Sequence, residues 1–191
     1  MLGYADRLPH RPCRVLVAGV SGAGKSTLAR RVAGVIGAEH VELDALFHGP
    51  GWRPRDTFVA DVGSFAEREC WVTEWQYSAV RPLLTERADL LVWLDLPFAT
   101  VVLPRLAVRT VRRRLRREVL WNGNIEPPLH TVLTDHEHVV RWAVRYRDKY
   151  RRRVPPLADT HPHLTVVRLR SQREVDRWVA GPLRAAGPRQ G

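Results

Sequence analysis

The chain has 191 residues, 45% of them apolar, and a formal net charge of +11 at pH 7; that suits one domain with a full core rather than two. No apolar run approaches the ~18 residues of a membrane span, and residues 1–12 hold no apolar stretch ahead of a cleavage site, so a cytoplasmic protein is expected. Cys13 and Cys70 lack metal-ligand spacing and form no framework, which makes reduced thiols the simplest expectation.

The first element is Arg14-Val15-Leu16-Val17-Ala18, a short β-branched apolar run of the kind found in central parallel strands. It leads into Gly19-Val20-Ser21-Gly22-Ala23-Gly24-Lys25-Ser26, which fits the phosphate-binding pattern G-x-x-x-x-G-K-[ST]. Leu28, Val32, Val35 and Ile36 then fall on one helical face. A strand entering and a helix leaving are the context the motif requires, and they argue against a chance glycine-rich turn. Gly19, Gly22 and Gly24, with Ala23 and Thr27 in the same turn, let backbone N–H groups face inward at the positive end of the helix. Lys25 is placed for the β- and γ-phosphates of a nucleoside triphosphate, and the Ser26 hydroxyl for Mg²⁺. Of 31 basic residues only Lys25 and Lys149 are lysines. A chain that uses arginine almost everywhere keeps a lysine where a compact ammonium is needed.

Further strands are expected at 40–43, 71–73, 90–94 and 164–169, alternating with helices after Pro54, over 78–86, over about 97–118 with a distortion at Pro104, and over 135–153. Ser171-Gln172-Arg173-Glu174 is a capping box that opens a last helix through Val179. Such alternation predicts a parallel sheet with helices on both faces. Ligands gather at the carboxyl ends of strands in such sheets. Three acids stand there: Asp44 after the second strand, Glu74 after the third and Asp95 after the fourth. Phosphoryl transfer needs one carboxylate for hydrated Mg²⁺ and one for an acceptor's proton; Asp95, followed by Leu96-Pro97, reads as a cap for the next helix.

Residues 44–54, with Phe47, His48 and Trp52, form a loop suited to an acceptor pocket, or else a plain cap on the core. Arginines 105, 109, 112, 113, 114, 116 and 117 crowd the helix leading to residues 119–131, where Asn-Gly and Pro-Pro punctuate a flap or an ordinary surface connection. The flap arginines are natural clamps on a transferring phosphoryl group; a nucleic-acid surface and a solvated helix are the alternatives.

Several segments together resemble the adenylate-kinase-like P-loop proteins, specifically the small bacterial group labelled "DNA topology modulation protein" or putative nucleotide kinase. They are residues 19–27, Val41-Glu42-Leu43-Asp44-Ala45-Leu46, Trp71 to Tyr77, Leu94-Asp95-Leu96-Pro97, Arg109 to Asn124 and Val167 to Ser171. The resemblance implies an α/β P-loop three-layer sandwich with five parallel strands in the order 2-3-1-4-5 and an Arg-bearing lid, inserted at about 112–135 in a single domain spanning 1–191. It also implies ATP and Mg²⁺ at the P-loop and places Arg170 near the adenine. The departure lies at Glu74-Trp75-Gln76, where the group reads Asp-Gly-Asn: Glu reaches one methylene further, and Trp adds bulk at the rim.

The expected activity is therefore ATP-dependent phosphoryl transfer to a small molecule, foremost a nucleotide or nucleoside, with another hydroxylated metabolite possible. Lys25 and Mg²⁺ act on the phosphates, Glu74 on the metal's water, Asp44 on the acceptor, and Arg109, Arg113 and Arg117 close over the top. The protein is expected as a monomer or homodimer. An ATP-binding nucleic-acid-associated protein and an ATP binder without turnover are the other readings.

Overall fold

The computed structural model describes residues 1–116, 118–124 and 144–186. Five strands, β1 (Arg14–Ala18), β2 (Glu39–Val41), β3 (Trp71–Glu74), β4 (Leu90–Leu94) and β5 (Thr165–Leu169), form one sheet in the order β2-β3-β1-β4-β5, every pairing parallel. The expected order and the α/β class are those observed. β1 and β4 are buried almost throughout, as a strand covered on both faces must be. Leu28, Val32 and Ile36 of α1 (Lys25–Ile36) join the core, with Trp71 and Trp178 among the largest side chains fully enclosed.

α2 (Leu43–Phe47) follows β2 at once, so the second strand is shorter than expected and Asp44 sits in the first turn of a helix instead of at a strand end. The reason is local: the Glu42 and Asp44 carbonyls accept from Ala45 N at 3.1 Å and His48 N at 3.0 Å, which turns the chain off the ladder. α3 (Phe58–Ala66) buries Phe58, Val62, Phe65 and Ala66, the spacing read from sequence. α4 (Arg81–Arg87) returns the chain to β4.

Beyond β4, residues Phe98–Val102 make a π turn before α5 (Leu103–Leu115), so the distortion foreseen at Pro104 takes the form of a wide turn just ahead of it. A 3₁₀ turn follows at Trp121–Gly123. Arg117, residues 125–131 of the flap and residues 135–143 of the helix expected over 135–153 lie outside the described residues. α6 (Lys149–Arg153) and α7 (Leu157–Thr160) lead into β5, and α8 (Gln172–Trp178) closes the fold. The N-cap of α8 forms as expected, Ser171 Oγ accepting from Glu174 N at 3.1 Å, while Glu174 Oε2 reaches one residue further back and accepts from Arg170 N at 2.7 Å.

Two expectations are corrected. Cys13 and Cys70 are joined by a disulfide, their Cα atoms 4.5 Å apart. Each immediately precedes its strand, and Trp71 N donates to the Cys13 carbonyl at 2.9 Å, so the β1–β3 register brings together residues 57 apart in sequence. Asp95 caps nothing; it accepts from Arg168 Nε at 3.0 Å and Arg151 Nε at 2.9 Å, tying β4 to β5 and α6. Among the described residues no helix is long and apolar enough to cross a membrane.

Candidate active site

The phosphate loop runs from β1 into α1 with Gly22 at φ 86° and Gly24 at φ 93°, left-handed values that suit glycine. Gly22 is fixed twice over. A Cβ there would lie 2.8 Å from Leu106 Cβ and 3.1 Å from the Val102 carbonyl, so the loop rests directly on the base of α5. Gly24 takes the N-cap position of α1, and no side chain caps it. The first N–H groups of the helix are thereby left pointing out of the loop.

Four charged groups, Lys25, Arg109, Asp44 and Glu74, act on one another at this point. Burial lowers the pKa of the Lys25 ammonium; Asp44 and Glu74 pull it back up, Arg109 pushes it down, and the net shift is downward. Glu74, last residue of β3, is 2% exposed. Burial raises its pKa, but the hydrogen bond with His40, the Ser26 hydroxyl and the charges of His40 and Lys25 outweigh burial and hold the carboxyl below its usual range. Glu74 Oε1 lies 3.3 Å from His40 Nε2. The Ser26 hydroxyl favours the ionised carboxylate, and Glu74 Oε2 is buried with no hydrogen-bond partner. A buried, ionised oxygen beside a P-loop hydroxyl fits a hydrated Mg²⁺, which takes few protein ligands and keeps its waters. Among the described residues no cluster of three or more His, Cys, Asp or Glu side chains offers a metal cage. The residues present therefore suit Mg²⁺ held through water and phosphate.

Asp44 is held by two donors that sequence reasoning missed. Gln76 Nε2 donates to its Oδ1 at 2.7 Å and Tyr77 OH donates to the same oxygen at 2.6 Å. Tyr77 reaches it from a left-handed backbone, φ 57°, a conformation costly for a tyrosine and typical of residues aimed at a site. Burial first, then Asp44, raises the phenol's pKa far above its usual value, so Tyr77 remains a donor. His48 Nε2 stands 3.3 Å from the same phenol oxygen. The tyrosine sat in the sequence as part of the third-strand motif, but nothing there showed that it would turn toward a residue 33 positions away.

The arginines divide. Arg109 acts electrostatically on Lys25 and so belongs to the phosphate end. Arg113 pairs with Glu118 at 3.6 Å and lies 5.9 Å from the Trp121 ring centroid. Arg117 lies outside the described residues. Arg170, exposed, donates its backbone N–H to Glu174. The cavity on that side, about 190 Å³, is lined by Gly24, Thr27, Arg31, Arg105 and Gln172 among others, with Arg105 Nη1 donating to Gln172 Oε1 at 3.2 Å. A larger cavity of about 430 Å³ opens between β4 and α6, but Lys25, Asp44 and Glu74 do not line it.

Residues 121–124 clasp the loop after β2. Trp121 Nε1 donates to Glu42 Oε2 at 2.7 Å, and Asn122 Nδ2 donates to the carbonyls of Ala45 and His48. Buried Asn124 donates to the Gly49 carbonyl and accepts from Trp52 N, both at 3.0 Å. Residues 121–124 and the loop expected to shape an acceptor pocket are thus one hydrogen-bonded assembly.

No family model and no curated relative matches the chain. Solved structures do. A gluconokinase from Sinorhizobium meliloti 1021 aligns over 93% of this chain and 95% of its own, at 22% identity and a TM-score of 0.53. A shikimate kinase from Acinetobacter baumannii, solved in complex with shikimate, aligns over 91% and 92% at 17% identity and a TM-score of 0.51. At these identities the likeness concerns architecture: the chain has the fold of small P-loop kinases.

Proposed function

We propose that the protein is an ATP-dependent kinase that transfers a phosphoryl group to a hydroxyl of a small-molecule acceptor. The observation that carries this reading is the buried, ionised Glu74, its Oε2 without a hydrogen bond, set between Lys25, Ser26 and Asp44. A binding protein has little use for a second carboxylate held ready beside the phosphates; a phosphotransferase needs one.

The loop amides and Lys25 hold the β- and γ-phosphates. Bound through the Ser26 hydroxyl and a water on Glu74, Mg²⁺ would supply charge neutralisation on the phosphate oxygens. Gln76 and Tyr77 fix Asp44 by one oxygen and leave the other to receive the acceptor's proton. The acceptor oxygen bonds to the γ-phosphorus as the bond to the β–γ bridging oxygen breaks, and ADP leaves. Arg109 steadies the charge on the transferring group, and Arg113 and Arg117 are carried by the lid. Thr27, Arg105 and Gln172 border the nucleoside, with Arg170 at the edge. Nucleotides, nucleosides and hydroxy acids are all candidate acceptors.

The test is ADP production with a panel of these acceptors, with and without Mg²⁺. Lys25→Ala is expected to lower turnover by roughly 10²–10³-fold, the scale of losing one preorganised donor to the transition state; unchanged turnover would sink the assignment. A duplex or single-strand affinity that falls steeply with log salt, with no acceptor-dependent ADP, would favour the nucleic-acid reading instead.

A further inference from the structure

The kinase reading leaves the acceptor's chemistry open, and any assignment of that chemistry rests on the same reading. Behind the carboxyl end of β3 lies a group of cations that the phosphate loop does not use. Arg81, first residue of α4, carries its Cζ 5.4 Å from the Trp75 ring centroid, and its Nε is buried with no hydrogen-bond partner. The Trp75 ring is 6.0 Å from that of Tyr150 on α6, whose hydroxyl donates to the Trp75 carbonyl at 3.3 Å. Lys149 Nζ is 5.9 Å from the Tyr150 ring centroid, and Arg153 follows Lys149 by four residues on the same helix, so the two share a face. Three cations therefore surround one aromatic pair.

Their proximity has a cost. Burial, then the charge of Arg153, lowers the pKa of Arg81. Burial, then Arg81, Arg153 and Lys25, brings Lys149 down to about 8. Elsewhere a partly buried cation such as Arg168 settles on an acid, Asp95. Among the described residues neither Arg81 nor Arg153 meets a carboxylate. The Arg81 and Arg153 guanidinium groups, gathered at a partly desolvated place, imply an anion brought from outside. ATP is not the natural source, because the phosphate loop takes its phosphates and the nucleoside-side cavity lies toward Arg31 and Gln172. The cluster does lie within electrostatic reach of both reacting ends: Lys149 senses Lys25, and Tyr150 senses Asp44.

We propose that Arg81, Lys149 and Arg153 dock an oxyanion of the acceptor, so that the acceptor is an anionic alcohol, a hydroxy acid or a phosphorylated alcohol, with its hydroxyl toward Asp44. The planar Arg81 fork over Trp75 suits the two oxygens of a carboxylate or phosphate.

The experiment measures binding, independent of turnover. The full chain, loaded with Mg²⁺ and a non-hydrolysable ATP analogue, is titrated calorimetrically with gluconate against glucose and with AMP against adenosine. One anion is expected to bind at least about tenfold more tightly than its neutral counterpart, as a charge-assisted contact gives; which pair does so separates the carboxylate from the phosphate source. Arg153→Ala, at an exposed position where folding is not at stake, is expected to weaken that anion about tenfold. Arg177→Ala on α8 should change nothing. Arg81→Lys should retain more affinity than Arg81→Ala. The proposal is overturned if neutral and charged acceptors bind equally, if neither gluconate nor AMP binds, or if Arg153→Ala and Arg81→Lys leave anion affinity untouched. Failure of the wild type to bind the ATP analogue would instead remove the kinase reading itself.

Discussion

Glu74 is a single side chain on which both stability and the proposed chemistry turn. It is a carboxylate inside the protein that stays ionised because His40, Ser26 and Lys25 outweigh its burial. A carboxyl whose folded pKa lies below its unfolded value stabilises the fold above the unfolded pKa, about 4.3 for glutamate, and loses that contribution as pH falls through the folded value. Melting temperature should therefore fall between roughly pH 5 and pH 3, and Glu74→Gln should flatten that fall. Identical acid limbs in wild type and variant would show that Glu74 is not ionised as described. The turn from β1 into α1 was legible in advance, because a glycine pattern between an apolar strand and an amphipathic helix is a local signal. The partners of Asp44 were not: Gln76 and Tyr77 reach it only through a left-handed turn, and no local pattern announces such a turn in a tyrosine.

At the scale of elements, residues 121–124 and the loop after β2 form one hydrogen-bonded join. Asn124 is buried and uses both ends of its amide, so Asn124→Ala would strand the Gly49 carbonyl and the Trp52 amide. The expected cost is about 1–3 kcal/mol in urea denaturation, the penalty for leaving buried polar groups unmade. The acceptor's KM should rise more than that of ATP, because the acceptor loop is what Asn124 holds; a loss confined to ATP would place the join elsewhere. In sequence, Trp121-Asn122-Gly123-Asn124 read as punctuation in a flap, since turn residues announce a change of direction without naming what they will meet. Asp95 misled for a related reason. A following proline is a good local argument for a cap, yet Arg168 on β5 and Arg151 on α6, brought close only by the folded sheet, took the carboxylate.

For the molecule as a whole, the alternation of strand and helix made the parallel α/β class legible, while the strand order came only from the resemblance to the adenylate-kinase-like P-loop proteins. The Cys13–Cys70 bridge was not legible, because pairing of residues 57 apart depends on a register that only the assembled sheet defines. It joins the starts of two neighbouring central strands. Reduction, or Cys13→Ser with Cys70→Ser, should lower unfolding free energy by about 2–4 kcal/mol, as expected for cross-linking a loop of that length; no change in the urea midpoint on reduction would argue against the bridge.

Gly22 and Leu106 carry a final implication. Because the phosphate loop leaves no room for even a methyl group against α5, a shift of one is expected to carry the other. The pivot of any lid swing is then pushed outward along α5, past Leu106. Arg105 and Arg109 lie on opposite sides of that boundary, so nucleotide occupancy should slow amide exchange around the former while leaving the far turns of the helix free to breathe.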